Sequence, residues 1–290
     1  MATPHIDYYM QPGDLRTLQT LSARMMRYRV HELVGTDEAG FRAGLDAVMS
    51  EERADFEHVT DESMQRQQSI SFSWGHDHDF GPFQMEGRMG SRHIKHLAVF
   101  GEHFGIDFNA FDGAPVLDLG CWSGGVSLML STFGAHVHAV DEVRKYVELV
   151  DFLGTSFGLS NLTTEARSLY SMTEERDQDR YAAIMFAGVL YHLTDPIIAM
   201  RILFNMLQDG GVCMVESTSV AAQRAVWAYE RRQWNWFDPS PGAVRQVMKD
   251  VGFTDVRVGP VTPNGRVYAI GRREKHVDMR RDGLSVPTIR

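Results

Sequence analysis

Three stretches of the chain carry residue types and spacings that can do chemistry. The first is Asp118-Leu119-Gly120-Cys121-Trp122-Ser123-Gly124-Gly125, with Asp141 following 23 residues after Asp118. Glycines behind a short apolar run let the backbone approach a ligand and free the N–H groups that open the next helix. A carboxylate where the following strand ends can accept hydrogen bonds from both hydroxyls of a ribose. The spacing G-x-x-x-G-G is not the three-glycine fingerprint that seats a pyrophosphate. Asp118 beside the loop would repel a pyrophosphate and suits an amino group or a sulfonium. The residues therefore point to a nucleoside without phosphates; the plain alternative is a tight turn.

The second stretch is Tyr191-His192, which follows an apolar run. An imidazole titrates near neutral pH, so His192 is a candidate general base, and Tyr191 a residue that shapes the pocket. The alternative for His192 is a packed ring bonded to backbone. The third stretch is His76-Asp77-His78-Asp79. In extended chain His76 and His78 point to one side, as candidate bases or substrate contacts. His93 and His96 share a face if their segment is helical. No H-E-x-x-H pattern or cysteine support accompanies these histidines, so no metal is expected. Trp74, Phe80 and Phe83 read as a lid or as core. Trp227, Trp234, Trp236 and Phe237 suit a flat acceptor or plain packing. Arg266 either holds an acidic group on an acceptor or pairs with Asp255 or a neighbour.

These residues need a scaffold, and the pattern from 115 onward supplies one. Apolar runs at 115–120, 135–140, 162–169, 182–187 and 211–217 read as strands. Helical spacing fills 123–133, 142–157 and 196–207 between them. Such alternation predicts a parallel sheet covered on both faces. A helix at 244–252 and two strands at 255–260 and 266–272, joined by Thr262-Pro263-Asn264-Gly265, predict an antiparallel hairpin at the end. Ahead of this lie two amphipathic stretches. Leu15, Leu18, Leu21, Met25 and Tyr28 mark the first; Phe41, Leu45, Val48 and Met49 mark the second. Residues 58–70 read as a polar linker or exposed helix, and 71–90 as a structured, glycine-rich loop.

Composition excludes several classes. With 290 residues, 43% hydrophobic and 23% charged, the chain has the make-up of a globular protein. Two cysteines, Cys121 and Cys213, rule out a disulfide scaffold and a cysteine-based zinc site. A net charge of −9 is poor for binding a polyanion. No leader is seen in residues 1–11, and no apolar stretch is long enough to span a bilayer, so a cytoplasmic setting is expected.

The segment VLDLGCWSGGVSLMLSTFGAHVHAVD, ending at Asp141, resembles the nucleoside-binding half of class I S-adenosylmethionine (SAM) dependent methyltransferases. The resemblance runs over about residues 115–272 and includes the antiparallel end strand. It implies an α/β, Rossmann-like sheet with an N-terminal helical cap, SAM as cofactor and S-adenosylhomocysteine (SAH) as by-product. It implies that Gly120, Trp122 and Gly124 line the methionine part, Asp141 the ribose, and Ser168 and Leu169 the adenine. Asp118, Cys121, Ala187 and Phe83 complete the expected cofactor contacts. Trp122 stands where the family usually has glycine.

GPFQMEG (81–87), FAGVLYHLTDP (186–196) and GRVYAIGRR (265–273) are also similar to the wobble-uridine tRNA carboxymethyltransferases. There the counterparts of Tyr191 and Arg266, with a lysine before GPF, help hold a carboxylated SAM. Phe80 occupies the lysine position and Ile94 that of an expected tryptophan, so ordinary SAM is expected.

The expected organisation is a helical cap over 1–70, a lid and connector over 71–110, the SAM-binding domain over 111–273 and a tail over 274–290. Trp74, Trp234, Trp236 and Arg266 are expected to face the acceptor. The expected function is methyl transfer to an oxygen, nitrogen or carbon of a small molecule, with a homodimer through the cap allowed and no membrane contact. Methylation or carboxymethylation of tRNA is the second reading, and a SAM-binding regulator without turnover the third.

Overall fold

The structure, a computed structural model, describes residues 32–50, 74–79, 83–173, 175–222, 224–232 and 235–276. The first amphipathic stretch, the 58–70 linker, Phe80, Trp234 and the tail beyond 276 lie outside the described residues.

Seven strands form the central sheet: β3 (Pro115–Leu119), β4 (His136–Asp141), β5 (Leu162–Ala166), β6 (Tyr181–Ala187), β7 (Leu207–Thr218), β10 (Thr254–Val261) and β11 (Arg266–Arg272). Their order is β10-β11-β7-β6-β3-β4-β5. The strands β3 to β7 run parallel. The strand β11 is inserted antiparallel between β7 and β10. The expected α/β sheet with an antiparallel end is therefore present. Because β3 pairs with both β4 and β6, the order reverses there, and a crevice opens above the carboxyl ends of those strands.

Alternation along each strand sorts side chains onto two faces. Leu117, Ile184, Phe186, Val215 and Ala269 pack against α5 (Pro196–Met206) and α6 (Pro241–Asp250). Val116, Met185, Met214, Tyr268 and Ile270 pack on the opposite face, under α2 (Arg92–Ala98) and α3 (Gly125–Thr132). By the same alternation Asp118, Glu216 and Arg266 belong to the α2–α3 face.

The helix ends have local causes. Pro241 opens α6, and the Ser240 hydroxyl accepts the Ala243 N–H at 3.2 Å. The Arg273 guanidinium donates to the carbonyls of Phe204, Asn205 and Leu207, closing the end of α5. Among the described residues, no helix is long and apolar enough to cross a membrane.

Several expected boundaries move. The strand at 162–169 stops at Ala166, because Ser168 caps a short 3-10 turn, Leu169–Ser171. The strand at 211–217 runs from Leu207 to Thr218. The helix expected from 123 begins at Gly125, since Gly124 is left-handed with φ of 76°. The 71–90 loop contains a two-stranded ribbon, β1 (His78–Asp79) and β2 (Gln84–Met85). Asp77 ties this segment shut, accepting the Gly87 N–H at 2.9 Å and the Ser91 hydroxyl at 3.0 Å. The aromatic insertion is a hairpin, β8 (Trp227–Arg232) and β9 (Asn235–Pro239). The second amphipathic stretch forms α1 (Glu38–Ser50), whose Phe41 packs on Phe152 and Phe157 at the side of α4 (Arg144–Ser156).

Candidate cofactor and acceptor site

The loop after β3 is the centre of the site. Gly120 and Gly124 both adopt left-handed backbone, with φ of 81° and 76°. Trp122 also has a positive φ, 46°, at a position where side chains are normally disfavoured. A Cβ on Gly75 would lie 2.6 Å from the Trp122 ring, so the bulk at 122 is matched by the missing side chain across the cleft. The indole also meets the His76 and Tyr146 rings edge to face.

Ser123 fastens this loop to the 74–79 segment. Its hydroxyl accepts the N–H groups of Gly75 (3.2 Å) and His76 (3.0 Å). The hydroxyl proton is then directed to His76 Nδ1, 3.1 Å away. That ring is buried, and desolvation with the neighbouring His78 holds it well below the usual imidazole range, so it is neutral and accepts. His78 Nε2 donates to the Ser123 carbonyl at 3.1 Å. His76 and His78 thus do reach the same side, toward the glycine loop. Gly125 leaves room for the His76 and His93 rings, each 2.8 Å from where its Cβ would sit. Among the described residues no three His, Cys, Asp or Glu side chains are grouped to hold a metal ion.

Two carboxylates flank the loop. Asp118 is buried and accepts the Ser127 hydroxyl at 2.5 Å. Burial, followed by repulsion from Asp141, pushes its carboxyl up to about 7. Asp141 accepts the N–H groups of Trp122 (3.1 Å) and Val143 (2.9 Å), one on each oxygen. Burial pushes it up to about 6, against the lowering by those backbone bonds. Among the described residues no cation neutralises either group. Cys121 packs with Ala139 and Val150, and burial pushes its thiol up, so its backbone alone belongs to the loop. Ser168 and Leu169 are buried beyond the end of β5. Ala187 ends β6, opposite Glu216 of β7. Trp74 and Phe83 sit in the cluster that joins α1 to Leu128 and Leu149.

A second polar group lies at the ends of β7 and β11. Arg266 spends Nε and Nη2 on the two oxygens of Glu216, which is fully buried. Its partner is therefore Glu216; Asp255 is occupied with Arg257 and Arg272. Burial raises the Glu216 carboxyl, but His96, then Arg266 and Arg92, hold it below its ordinary value. Tyr191 Oη lies 3.4 Å from Arg266 Nη2, and the guanidinium sits over the Tyr191 ring at 4.8 Å. His192 is exposed, its ring 4.1 Å from that of Tyr191. The strand β9, which carries the half-buried Trp236 and Phe237, lies against the Leu190–His192 turn. On the same face His96 Nδ1 is 3.0 Å from Tyr268 Oη. Residue-type reasoning did not single out Ser123, Glu216 or Tyr268 for the site. A carboxylate closing the apolar run of β7 was the one visible signal.

A cavity of about 260 Å³ lies around the turn before β5, lined by Asp151, Thr155, Ser160 and Thr164. It lies beside the edge strand β5, near the strand's N-terminal end, whereas the glycine loop is at the carboxyl end of β3.

The model of the methyltransferase-domain family matches residues 95–258. The chain belongs to that family. Its fold is that of the class I SAM-dependent methyltransferases. A tRNA U34 carboxymethyltransferase from Alteromonas mediterranea is 27% identical over 157 residues, 50% of this chain and 46% of that protein. A ubiquinone biosynthesis O-methyltransferase from Xylella fastidiosa is 28% identical over 108 residues, 37% of this chain and 43% of that protein. This chain thus spans less than half the length of these curated relatives. Among solved structures, the 1,6-didemethyltoxoflavin-N1-methyltransferase of Burkholderia thailandensis, bound to 1,6-didemethyltoxoflavin and SAH, covers 95% of this chain and 94% of its own. Its TM-score is 0.50 at 14% identity. The [4+2]-cyclase SpnF covers 66% of this chain and 86% of its own, with a TM-score of 0.55 at 13% identity. A cyclase on the same fold shows why chemistry must be argued from the site.

SAM is the methyl donor of this family, and the donor set here fits it. Open glycine backbone and two carboxylates, with no paired cation among the described residues, suit a cationic nucleoside and oppose a pyrophosphate.

Proposed function

We propose that this protein transfers the methyl group of SAM to a small-molecule acceptor seated over β6, β7 and β11. The observation that carries the reading is the unneutralised pair Asp118 and Asp141 around a left-handed glycine loop. When bound, SAM would supply an electrophilic methyl on a sulfonium, with the neutral thioether of SAH as the leaving group.

The chain's own residues do the rest. The Asp141 oxygens accept the Trp122 and Val143 N–H groups and keep lone pairs for a ribose hydroxyl. The Ser123 clasp holds the glycine loop in the geometry that Asp141 requires. Tyr191, fixed by Arg266, walls the position of the methyl group. His192, exposed beside Tyr191, takes the acceptor's proton. A net charge of −9 and an Ile94 fully buried in the core, in place of a site tryptophan, support ordinary SAM and a small acceptor over tRNA.

The second reading, modification of wobble uridine in tRNA, draws on the similarity to the carboxymethyltransferases and on the Tyr191–Arg266 contact. Methyl-labelled SAM, the full chain and an extract of the source organism decide between them. Label in the small-molecule fraction is expected. Label in RNA would replace this reading with the second, and SAH binding without label in any fraction would leave a regulator.

A further inference from the structure

We propose that the acceptor is a small anion, whose carboxylate or phosphate is held by Arg92 and Lys95 and is not itself the methylated group. This rests on the methyl-transfer reading and adds the chemical class of the substrate.

The argument begins with α2. Its residues His93, Ile94, His96, Leu97 and Ala98 are buried, while Arg92 and Lys95 are half-buried. Three residues apart, these two cations share a helix face. The bond from His96 to Tyr268 fixes α2 over β11. Tyr268 stands opposite Glu216 in register, and Arg266 lies two positions away on the same face. Three cations therefore converge on one anion.

Glu216 is already committed to Arg266 through both oxygens. Among the described residues, neither Arg92 nor Lys95 has an ion-pair or hydrogen-bond partner for its side chain. Asp77, at the start of α2, is occupied by the Gly87 N–H and the Ser91 hydroxyl. Burial disfavours both charges, and the cations repel one another: Arg266 acts on Arg92, and Arg92 on Lys95. Glu216 favours both charges but is shared with Arg266, so this half-buried pair is under-compensated, which a bound anion relieves.

Position assigns that anion to the acceptor. In sheet order β7 stands three strands from β4, which at usual strand spacing is roughly 14 Å. The ribose-side carboxylate Asp141 ends β4, whereas the cation cluster overlies β7 and β11.

The test isolates the labelled product from the extract experiment and runs it on an anion exchanger at neutral pH. A retained, anionic small molecule is expected. Arg92→Gln and Lys95→Gln should then each raise KM for its acceptor roughly ten-fold or more, leave SAH affinity unchanged, and Arg92→Lys should recover part of the loss. An uncharged or cationic product overturns the inference and leaves methyl transfer standing. So does an unchanged KM, or a parallel loss of SAH affinity, which would give the cations to the methionine carboxylate. Label confined to RNA overturns it as well. No label in any fraction removes the methyl-transfer reading and this inference with it.

Discussion

At the ends of β3 and β4 stand two carboxylates, Asp118 and Asp141, and no cation among the described residues answers them. At the ends of β7 and β11 the balance is reversed, with Arg92, Lys95 and Arg266 around the carboxylate of Glu216. The two regions also differ in how they are made. The first is compact in sequence, from Asp118 to Val143, and is held by backbone N–H groups and left-handed glycines. The second gathers residues 92, 95, 191, 216 and 266 from a helix, a turn and two strands. On the reading proposed above, one crevice seats a cationic donor beside an anionic acceptor, each recognised by the opposite charge.

The largest effect on this contrast should come from Glu216→Gln. It leaves a buried guanidinium next to two further cations, and should lower stability by about 3–5 kcal/mol in urea unfolding. Adding Arg266→Met should restore part of that. If Glu216→Gln unfolds at the wild-type midpoint, the buried pair is not the centre of the cation cluster.

Asp141→Asn keeps the shape of the donor region and removes its charge. SAH affinity by calorimetry should fall by roughly ten-fold or more, with little change in unfolding. Gly75→Ala presses a methyl on the Trp122 ring and should destabilise by about 1–3 kcal/mol. The double variant Gly75→Ala, Trp122→Gly should recover part of it, the new methyl still meeting the Ser123 hydroxyl 2.7 Å away; no recovery would show that positions 75 and 122 are not matched.

The smallest effect is one of pH. Asp118 and Asp141 ionise at about 7 and about 6 when folded, and near 3.8 in the unfolded chain. The folded protein without ligand then holds protons that the unfolded chain has released. On account of these two groups, stability falls as pH rises from about 4 to about 7. A cationic ligand favours the ionised forms, so SAM affinity should rise over about the same interval, and Asp118→Asn should remove the upper part of that rise. A flat SAM affinity profile in the wild type would show that the carboxylates do not face the sulfonium.

The donor region was readable before any coordinates because its signals are local. A strand, a glycine turn, a helix and a strand-end aspartate occur within 26 residues, 116–141, and each depends on its neighbours in the chain. The left-handed backbone at Trp122 was not readable, since its space is provided by Gly75, 47 residues earlier. Nor was the fate of the histidines. His76 and His78 lie in a stretch without periodicity, and only the packing of 74–79 on Ser123 decided that they clasp the loop. Arg266 was visible as an odd charge at a strand start, but its partner depended on register, because β11 enters antiparallel and brings it to Glu216.

By itself the sequence determined the order of strands and helices, the mixed sheet that follows, and the glycine loop with a carboxylate at the end of the next strand. Hydrophobic period and glycine conformation act over a few residues, so they are written locally. Tertiary structure alone decided which cations share a face with Glu216 and which histidines touch the glycine loop. Charge pairing depends on distance in space, and only the closed sheet, with α2 laid across β11, fixes those distances.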